Sequence, residues 1–226
     1  MIERFKSAGL EITEAQERKF RTLFEFMTEY NRKVNLTSIT EFEDVVIKHF
    51  IDSVLPFSIL GIHGDETLID VGTGAGFPSL PLLIYYPELN ATLVDSLAKR
   101  CTYLELACEK LGIMAEVIHA RSEELGRVRR EQYDIATARA VAAMPVLAEY
   151  CLPFVRVGGS FIALKSVNED ISAAEKAFGT LGGRLEKTLD YKLPNGDGRR
   201  LAVVRKISQT PTKYPRNQAN ITKKPL

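Results

Sequence analysis

The sequence has no apolar run approaching the roughly 20 residues that a bilayer-spanning helix needs. Its opening stretch, MIERFKSAGLEITEAQERKF, is mixed in charge and amphipathic and lacks the apolar centre of a secretory signal. A cytosolic protein without membrane attachment is therefore expected. Cysteine is scarce: Cys101, Cys108 and Cys151 make an odd number without metal-type spacing, so neither a disulfide framework nor a zinc site is indicated. Cys101 and Cys108 fall seven apart in a helical stretch, as small core residues do. Internal repeats and low-complexity segments are absent. Acid is missing from one region: residues 198–226 hold eight Lys/Arg and no Asp or Glu. With a formal net charge of +1, the residues before Gly198 then carry seven more acids than bases. Such asymmetry fits an anionic partner, and it fits equally a solvated segment that aids solubility.

What is present is an ordinary globular composition, 45% hydrophobic over 226 residues, enough for one α/β domain with an added segment. Phe20, Leu23, Phe24, Met27, Tyr30 and Val34 recur at the spacing of an amphipathic helix, and a second helix is expected over 45–55. NRKVNLTSIT, residues 31–40, is the polar connector between them. From Thr67 the rhythm changes to short apolar strands at 67–72, 91–96, 115–120, 133–138 and 160–165. Helices are expected between them at 78–86, 97–111 and 144–152, and again at 168–181. Alternation of this kind implies a parallel sheet covered on both faces. Strands near 184–193 and 199–207 flank LPNGDG, which reads as a hairpin adding an antiparallel pair at one edge. The expected organisation is a helical segment over 1–62, an α/β core over 63–207, and a basic, extended tail over 208–226.

The most informative stretch is LIDVGTGAGFPSLPLL, where a strand ends in Asp70, a glycine loop follows and a helix opens near Pro78. Ligands of such sheets sit at the carboxyl ends of the strands, and glycine lets the backbone approach them. A dinucleotide loop counted from Gly72 and Gly74 requires its third glycine at position 77, which is Phe77; the glycine falls at Gly76 instead. The pattern resembles the first motif of class I S-adenosylmethionine-dependent methyltransferases, whose ligand has an amino-acid end and no pyrophosphate. Asp70 suits the ligand's ammonium. Asp95 closes the second strand 23 residues past Gly72, where an acid takes the two ribose hydroxyls. Ser122 and Glu123 follow the third strand and suit the polar rim of the adenine. Ser96 and Ser122 also fit simple helix caps.

Together NRKVNLTSIT, KHFIDS, DVGTGAGFPSLPL, LVDSLAKR, DIATARAVA and LKS resemble the family of ribosomal RNA small-subunit methyltransferase G, also known as glucose-inhibited division protein B. The resemblance covers nearly the whole chain. It implies a class I Rossmann-like methyltransferase fold with a mostly parallel seven-stranded sheet. It also implies S-adenosyl-L-methionine as cofactor and methyl transfer to N7 of a guanine in the decoding-region loop of 16S ribosomal RNA, on free RNA or the small subunit. The family's cofactor contacts fall on Gly72, Phe77, Ser122, Glu123 and Arg139. Its C-terminal pattern is met at Tyr214, Pro215 and Arg216, with Ala219 and Ile221 where glycine and proline are usual.

Guanine N7 already carries a free lone pair, so no general base, covalent intermediate or metal is expected, and no catalytic acid or base is assigned. Arg199, Arg200, Lys213, Tyr214, Arg216, Lys223 and Lys224 are candidate RNA contacts, with Lys165, Lys99 and Arg100 extending the surface. His49 has a place in a family-like segment and is a further candidate substrate contact. A monomer is expected. Two rival readings remain at this stage: a small-molecule methyltransferase on the same core, and a non-enzymatic binding module with a degenerate pocket.

Overall fold

The computed structural model describes all 226 residues. Four helical elements come first: α1 (Ile2–Ser7), α2 (Glu14–Asn31), α3 (Phe42–Val45) and α4 (Asp52–Leu60). The core follows as β1 (Thr67–Val71), α5 (Ser79–Tyr85), β2 (Asn90–Asp95), α6 (Ala98–Leu111), β3 (Glu116–His119), α7 (Ser122–Val128), β4 (Tyr133–Arg139), α8 (Met144–Cys151) and β5 (Val155–Ser166). The chain continues through α9 (Glu175–Thr180), β6 (Gly183–Lys192), β7 (Gly198–Lys206) and α10 (Gln218–Lys223). One seven-stranded sheet has the order β3-β2-β1-β4-β5-β7-β6. The first five strands are parallel, and β7 runs antiparallel to both β5 and β6. This is the sheet expected from the sequence, with β6 of the hairpin at the edge.

Period-two alternation divides the core between the two faces of the sheet. Leu68, Ile135, Ile162, Leu164, Leu201 and Val203 join the apolar cluster beneath the N-terminal helices, α5 and α6. Their neighbours Ile69, Ala136, Phe161, Ala163, Ala202 and Val204 join a second cluster beneath α8, α9 and the C-terminal segment. Burial on both faces explains why these strands read as continuous apolar runs. On the first face, α2 buries Phe20, Leu23 and Met27. A reciprocal cap starts that helix: the Gln16 N–H donates to Thr13 Oγ1 at 3.2 Å, and the Thr13 N–H donates to Gln16 Oε1 at 2.8 Å. The Gln16 amide also donates to the Ile84 and Tyr85 carbonyls at 3.2 and 3.0 Å, fixing α2 to the end of α5.

Several local expectations are corrected. The helix expected over 45–55 is part of a longer run from α3 to α4, joined by a wider, π-type turn over Val46–Ile51. Wide turns of this kind are frequent near functional sites. Ser96 does not cap α6; the cap position is Leu97, whose N–H is accepted by Asp95 Oδ1 at 2.9 Å. Ser122 opens α7 rather than capping it, because Arg121 holds the extended cap position. The helix expected over 168–181 is shortened to a turn at Ser172–Ala174 followed by α9.

The largest difference concerns 208–226, which is packed on the core and carries a helix instead of running extended. The Asn217 side chain accepts from the Asn220 N–H at 2.9 Å to cap α10, and Ile221 is fully buried in the second cluster. Arg216 supplies the strongest tie. Its side chain meets the wholly buried Glu149 of α8 at 2.6 Å (Nη2 to Oε2) and 2.9 Å (Nε to Oε1), and its N–H donates to Oε1 at 2.7 Å. Further back, the fully buried Lys206 ammonium donates to the Leu152 carbonyl and to Thr210 Oγ1, both at 2.7 Å, and pairs with Glu131 at 3.1 Å. Arg130 donates to the carbonyls of Tyr214 and Thr210 at 2.6 and 2.7 Å. A buried carboxylate requires a paired cation, so the basic residues of this segment divide between internal partners and solvent.

Candidate functional site

Two cavities open side by side at the carboxyl ends of the parallel strands, where open α/β sheets place their ligands. The first, about 270 Å³, lies above β1, β2 and β3. Gly72, Asp95, Ser96, Ser122 and Glu123 line it, and α8 contributes Val146 and Tyr150. The second, about 720 Å³, lies above β4 and β5 and is lined by Lys48, His49, Asp52, Arg139, Lys165, Glu169 and Arg199. Val141 and Ala142 line both, so the segment leaving β4 is a shared wall.

That wall is shaped by backbone requirements on both sides. Gly72 has a φ of +72°, and a Cβ there would lie 2.8 Å from Val141 Cγ2, so glycine is required twice over. Ala140 holds a left-handed φ of 56°, an unfavourable choice for a residue with a Cβ. The Lys165 ammonium donates to the Ala142 carbonyl at 2.6 Å and pairs with Glu169 at 2.8 Å, which holds the wall down.

In the first cavity, Asp95 is buried and organises the loop. Its Oδ2 accepts the Gly74 N–H at 3.0 Å and lies 3.5 Å from Arg100. Glu123 is only 6% exposed, lines the cavity, and makes no hydrogen bond or ion pair within the chain. Asp70 lies beneath the loop, fully buried: the Ser79 hydroxyl donates to its Oδ2 at 2.8 Å, while Oδ1 has no partner. Burial pushes the Asp70 carboxyl up to about 7. The Thr73 hydroxyl, in the same loop, is also buried without a partner. Gly76 serves packing: with φ +88°, its Cβ would lie 2.3 Å from Leu80 Cδ1. Gly74 is open, its nearest contact being the Gly72 carbonyl at 3.9 Å.

The second cavity is cationic. Four basic side chains and two carboxylates line it. Asp52 Oδ2 pairs with Arg139 at 3.6 Å and Arg199 at 3.2 Å, and Tyr191 donates its hydroxyl to Oδ1 at 3.1 Å. Phe77 lies beneath the lining side chains: His49 stacks on it at 4.4 Å between centroids, and the Arg139 guanidinium lies 5.0 Å above the ring. His49 Nε2 lies 2.9 Å from the Thr37 hydroxyl, and Nδ1 faces the Arg139 guanidinium at 3.2 Å. Burial, and next the Arg139 charge, push this imidazole down to about 3, so it is neutral. The polar connector serves this arrangement. Asn31 accepts the Leu36 and Thr37 N–H groups at 2.7 and 3.0 Å and donates to the Thr37 carbonyl at 2.9 Å, which sets Thr37 against His49.

The structure thus gathers Gly72, Asp95, Ser122 and Glu123 around one cavity and Arg139, Lys165 and Arg199 around the other. Asp70, Gly74, Gly76 and Phe77 line neither and act from beneath or through the loop. Lys213, Lys223 and Lys224 are exposed, whereas Tyr214 is buried and Arg216 is committed to Glu149, which corrects their expected place on an open surface. Arg200 forks onto Asp190 of the neighbouring edge strand at 2.7 and 2.8 Å. Sequence reasoning missed Lys48, Asp52, Glu169, Tyr150, Gln218 and Thr222 as lining residues. For Lys48 and Asp52 a signal existed, since positions four apart on a helix share a face.

A sequence model of the family described as rRNA small subunit methyltransferase G matches residues 16–195. Curated relatives named Ribosomal RNA small subunit methyltransferase G include that of Leuconostoc citreum, 45% identical over 100% of this chain and 97% of its own length. The protein of that name from Lactobacillus acidophilus is 47% identical over 96% of this chain and 94% of its own. Among solved structures, M. jannaschii TYW2 in complex with AdoMet superposes with a TM-score of 0.53 at 13% identity, over 69% of this chain and 77% of that one. Precorrin-6y C5,15-methyltransferase from Geobacter metallireducens does so with a TM-score of 0.52 at 11% identity, over 68% and 87%. Identities that low speak for the fold alone. The family match and the full-length relatives together establish that the chain belongs to the rRNA small subunit methyltransferase G family.

Proposed function

We propose that this protein is a cytosolic, monomeric enzyme that transfers a methyl group from S-adenosylmethionine to N7 of a guanine in the decoding-region loop of 16S ribosomal RNA. The cofactor lies in the first cavity and the target base enters the second. The observation that carries this reading is the pair of cavities meeting at Val141 and Ala142, one holding the strand-end acids Asp95 and Glu123 and the other cationic. The residues fit the cofactor: the unpartnered Glu123 carboxylate faces the space meant for a donor-bearing adenine rim, and Asp95 stands at the β2 end for the ribose. Asp70 Oδ1, orphaned beneath the loop, suits the field of an ammonium.

When bound, S-adenosylmethionine supplies a methyl group already activated on sulfonium. The protein's own task is then alignment, worth about 7–11 kcal/mol at best. Arg139 and Arg199 attract the RNA, and Phe77 supports the residues that face the base. His49 is neutral with both ring nitrogens engaged, in keeping with chemistry on a free lone pair that needs no proton acceptor. A target guanine leaves its stack to reach such a recess. The cationic lining favours this substrate over a small uncharged metabolite.

Labelled S-adenosylmethionine incubated with small-subunit particles and with free 16S RNA tests the reading. Label is expected on guanine N7 at one mapped position. Label on another atom or in small molecules only, or no transfer despite cofactor binding, would overturn it.

A further inference from the structure

The first cavity has a wall that the β-α units do not supply. Gln218 and Thr222, four apart on one face of α10, line it together with Ser122 and Glu123. The Arg121 guanidinium donates to Gln218 Oε1, so the helix is tied to the segment leaving β3. A six-residue helix does not hold itself together in water, and its position must come from its anchors. Those anchors are unusually firm: buried Ile221, the Arg216–Glu149 pair at 2.6 Å, and Arg127, which donates to the Pro215 carbonyl at 3.3 Å. Glu123, nine-tenths buried and unpartnered, faces the same space. The cavity is therefore closed on one side by side chains from the last ten residues of the chain.

We propose that α10 is a working wall of the cofactor site, with Gln218 and Thr222 contacting the nucleoside end of the ligand. The inference rests on the placement of S-adenosylmethionine in this cavity. The nucleoside end is assigned because Gln218 is bound to Arg121, which directly precedes Ser122 and Glu123, while the β1–β4 end faces the shared wall and the second cavity. The C-terminal segment then serves cofactor affinity, apart from any contact its lysines make with RNA.

Calorimetric titration of the full-length protein with S-adenosylmethionine, S-adenosylhomocysteine and adenosine tests this. Gln218→Ala/Thr222→Ala removes two exposed side chains and the Arg121 hydrogen bond, and leaves Ile221, the Arg216–Glu149 pair and the Arg127–Pro215 contact in place. It is expected to weaken all three ligands about tenfold, with an unchanged ligand-free melting temperature and an unchanged KM for RNA. Thr222→Trp, which fills the space, is expected to abolish binding of all three. Affinities within twofold of the parent in both variants would overturn the proposal, as would a loss confined to S-adenosylmethionine. Asp95→Asn separates the two levels of the argument. If it loses affinity while the α10 variants do not, only the α10 proposal falls; if it too binds normally, the cofactor is elsewhere.

Discussion

The substitution Asp70→Asn removes a carboxylate from a position with no solvent and one hydrogen bond, that from Ser79 at 2.8 Å. The carboxyl is pushed from the ordinary 3.8 to about 7, chiefly by burial. A gap of about three units at about 1.4 kcal/mol each corresponds to roughly 4 kcal/mol of instability when the group is fully ionised, an upper figure because the protein relaxes around it. The sign follows from proton counting. Between about pH 4 and 7 the folded chain holds a proton that the unfolded chain has released, so parent stability falls as pH rises through that window. The asparagine keeps an acceptor for Ser79 and carries no charge, so the variant lacks this slope. Its new N–H group costs about 1–3 kcal/mol if it finds no partner, but equally at every pH. The orphaned Thr73 hydroxyl is a ready acceptor. Urea unfolding at pH 4.5 and pH 8 should show the variant gaining on the parent by about 3–4 kcal/mol between the two. S-adenosylmethionine affinity at pH 8 should meanwhile drop, because the ligand's ammonium loses its countercharge. A parent–variant difference identical at both pH values would refute the reasoning.

Gly76→Ala should unfold more easily than the parent by about 2 kcal/mol or more, since its Cβ would overlap Leu80 at 2.3 Å in addition to adopting a φ of +88°. Gly74→Val should stay folded and lose cofactor binding, because nothing lies closer than 3.9 Å to its Cβ while valine avoids the φ of +60° that the loop needs; thermal melts beside calorimetry separate the two glycines. Arg216→Ala should destabilise by about 3–5 kcal/mol in chemical denaturation, leaving Glu149 buried and unpaired. Glu149→Leu/Arg216→Met should recover most of that loss. Neutralising Lys213, Lys223 and Lys224 together should flatten the log–log salt dependence of RNA binding by up to about 2–3, at about 0.7–0.9 per phosphate contact. An unchanged slope would leave the RNA surface to the second cavity and its surroundings.

Strand positions and the glycine loop were legible because they depend on local rules: period-two burial, a left-handed backbone at Gly72, and an acid at the end of β2. The acids of the first cavity were legible for the same reason, each lying at a strand end within one βα unit. The second cavity was not, since it joins Lys48 and Asp52 of the N-terminal helices to Arg199 of β7, and no spacing along the chain encodes that meeting. The tail was misread for a physical reason. With only two apolar anchors, Tyr214 and Ile221, it shows no periodicity, and the decisive partner of Arg216 lies 67 residues away in α8. Eight positive charges in a stretch of acid-free sequence look like a surface, yet Lys206 and Arg216 are there to satisfy Glu131 and Glu149.

The position of α10 also divides the first cavity into parts that assemble differently. The glycine loop, Asp95 and Glu123 lie within successive β-α units, so the contacts that set them are close in sequence. Gln218 and Thr222 reach the same cavity through Arg216, whose partner Glu149 lies 67 residues away in α8. Contacts so distant along the chain carry a larger loop-closure cost and form more slowly. A chain that has folded its sheet and not yet seated α10 has a first cavity open on that side.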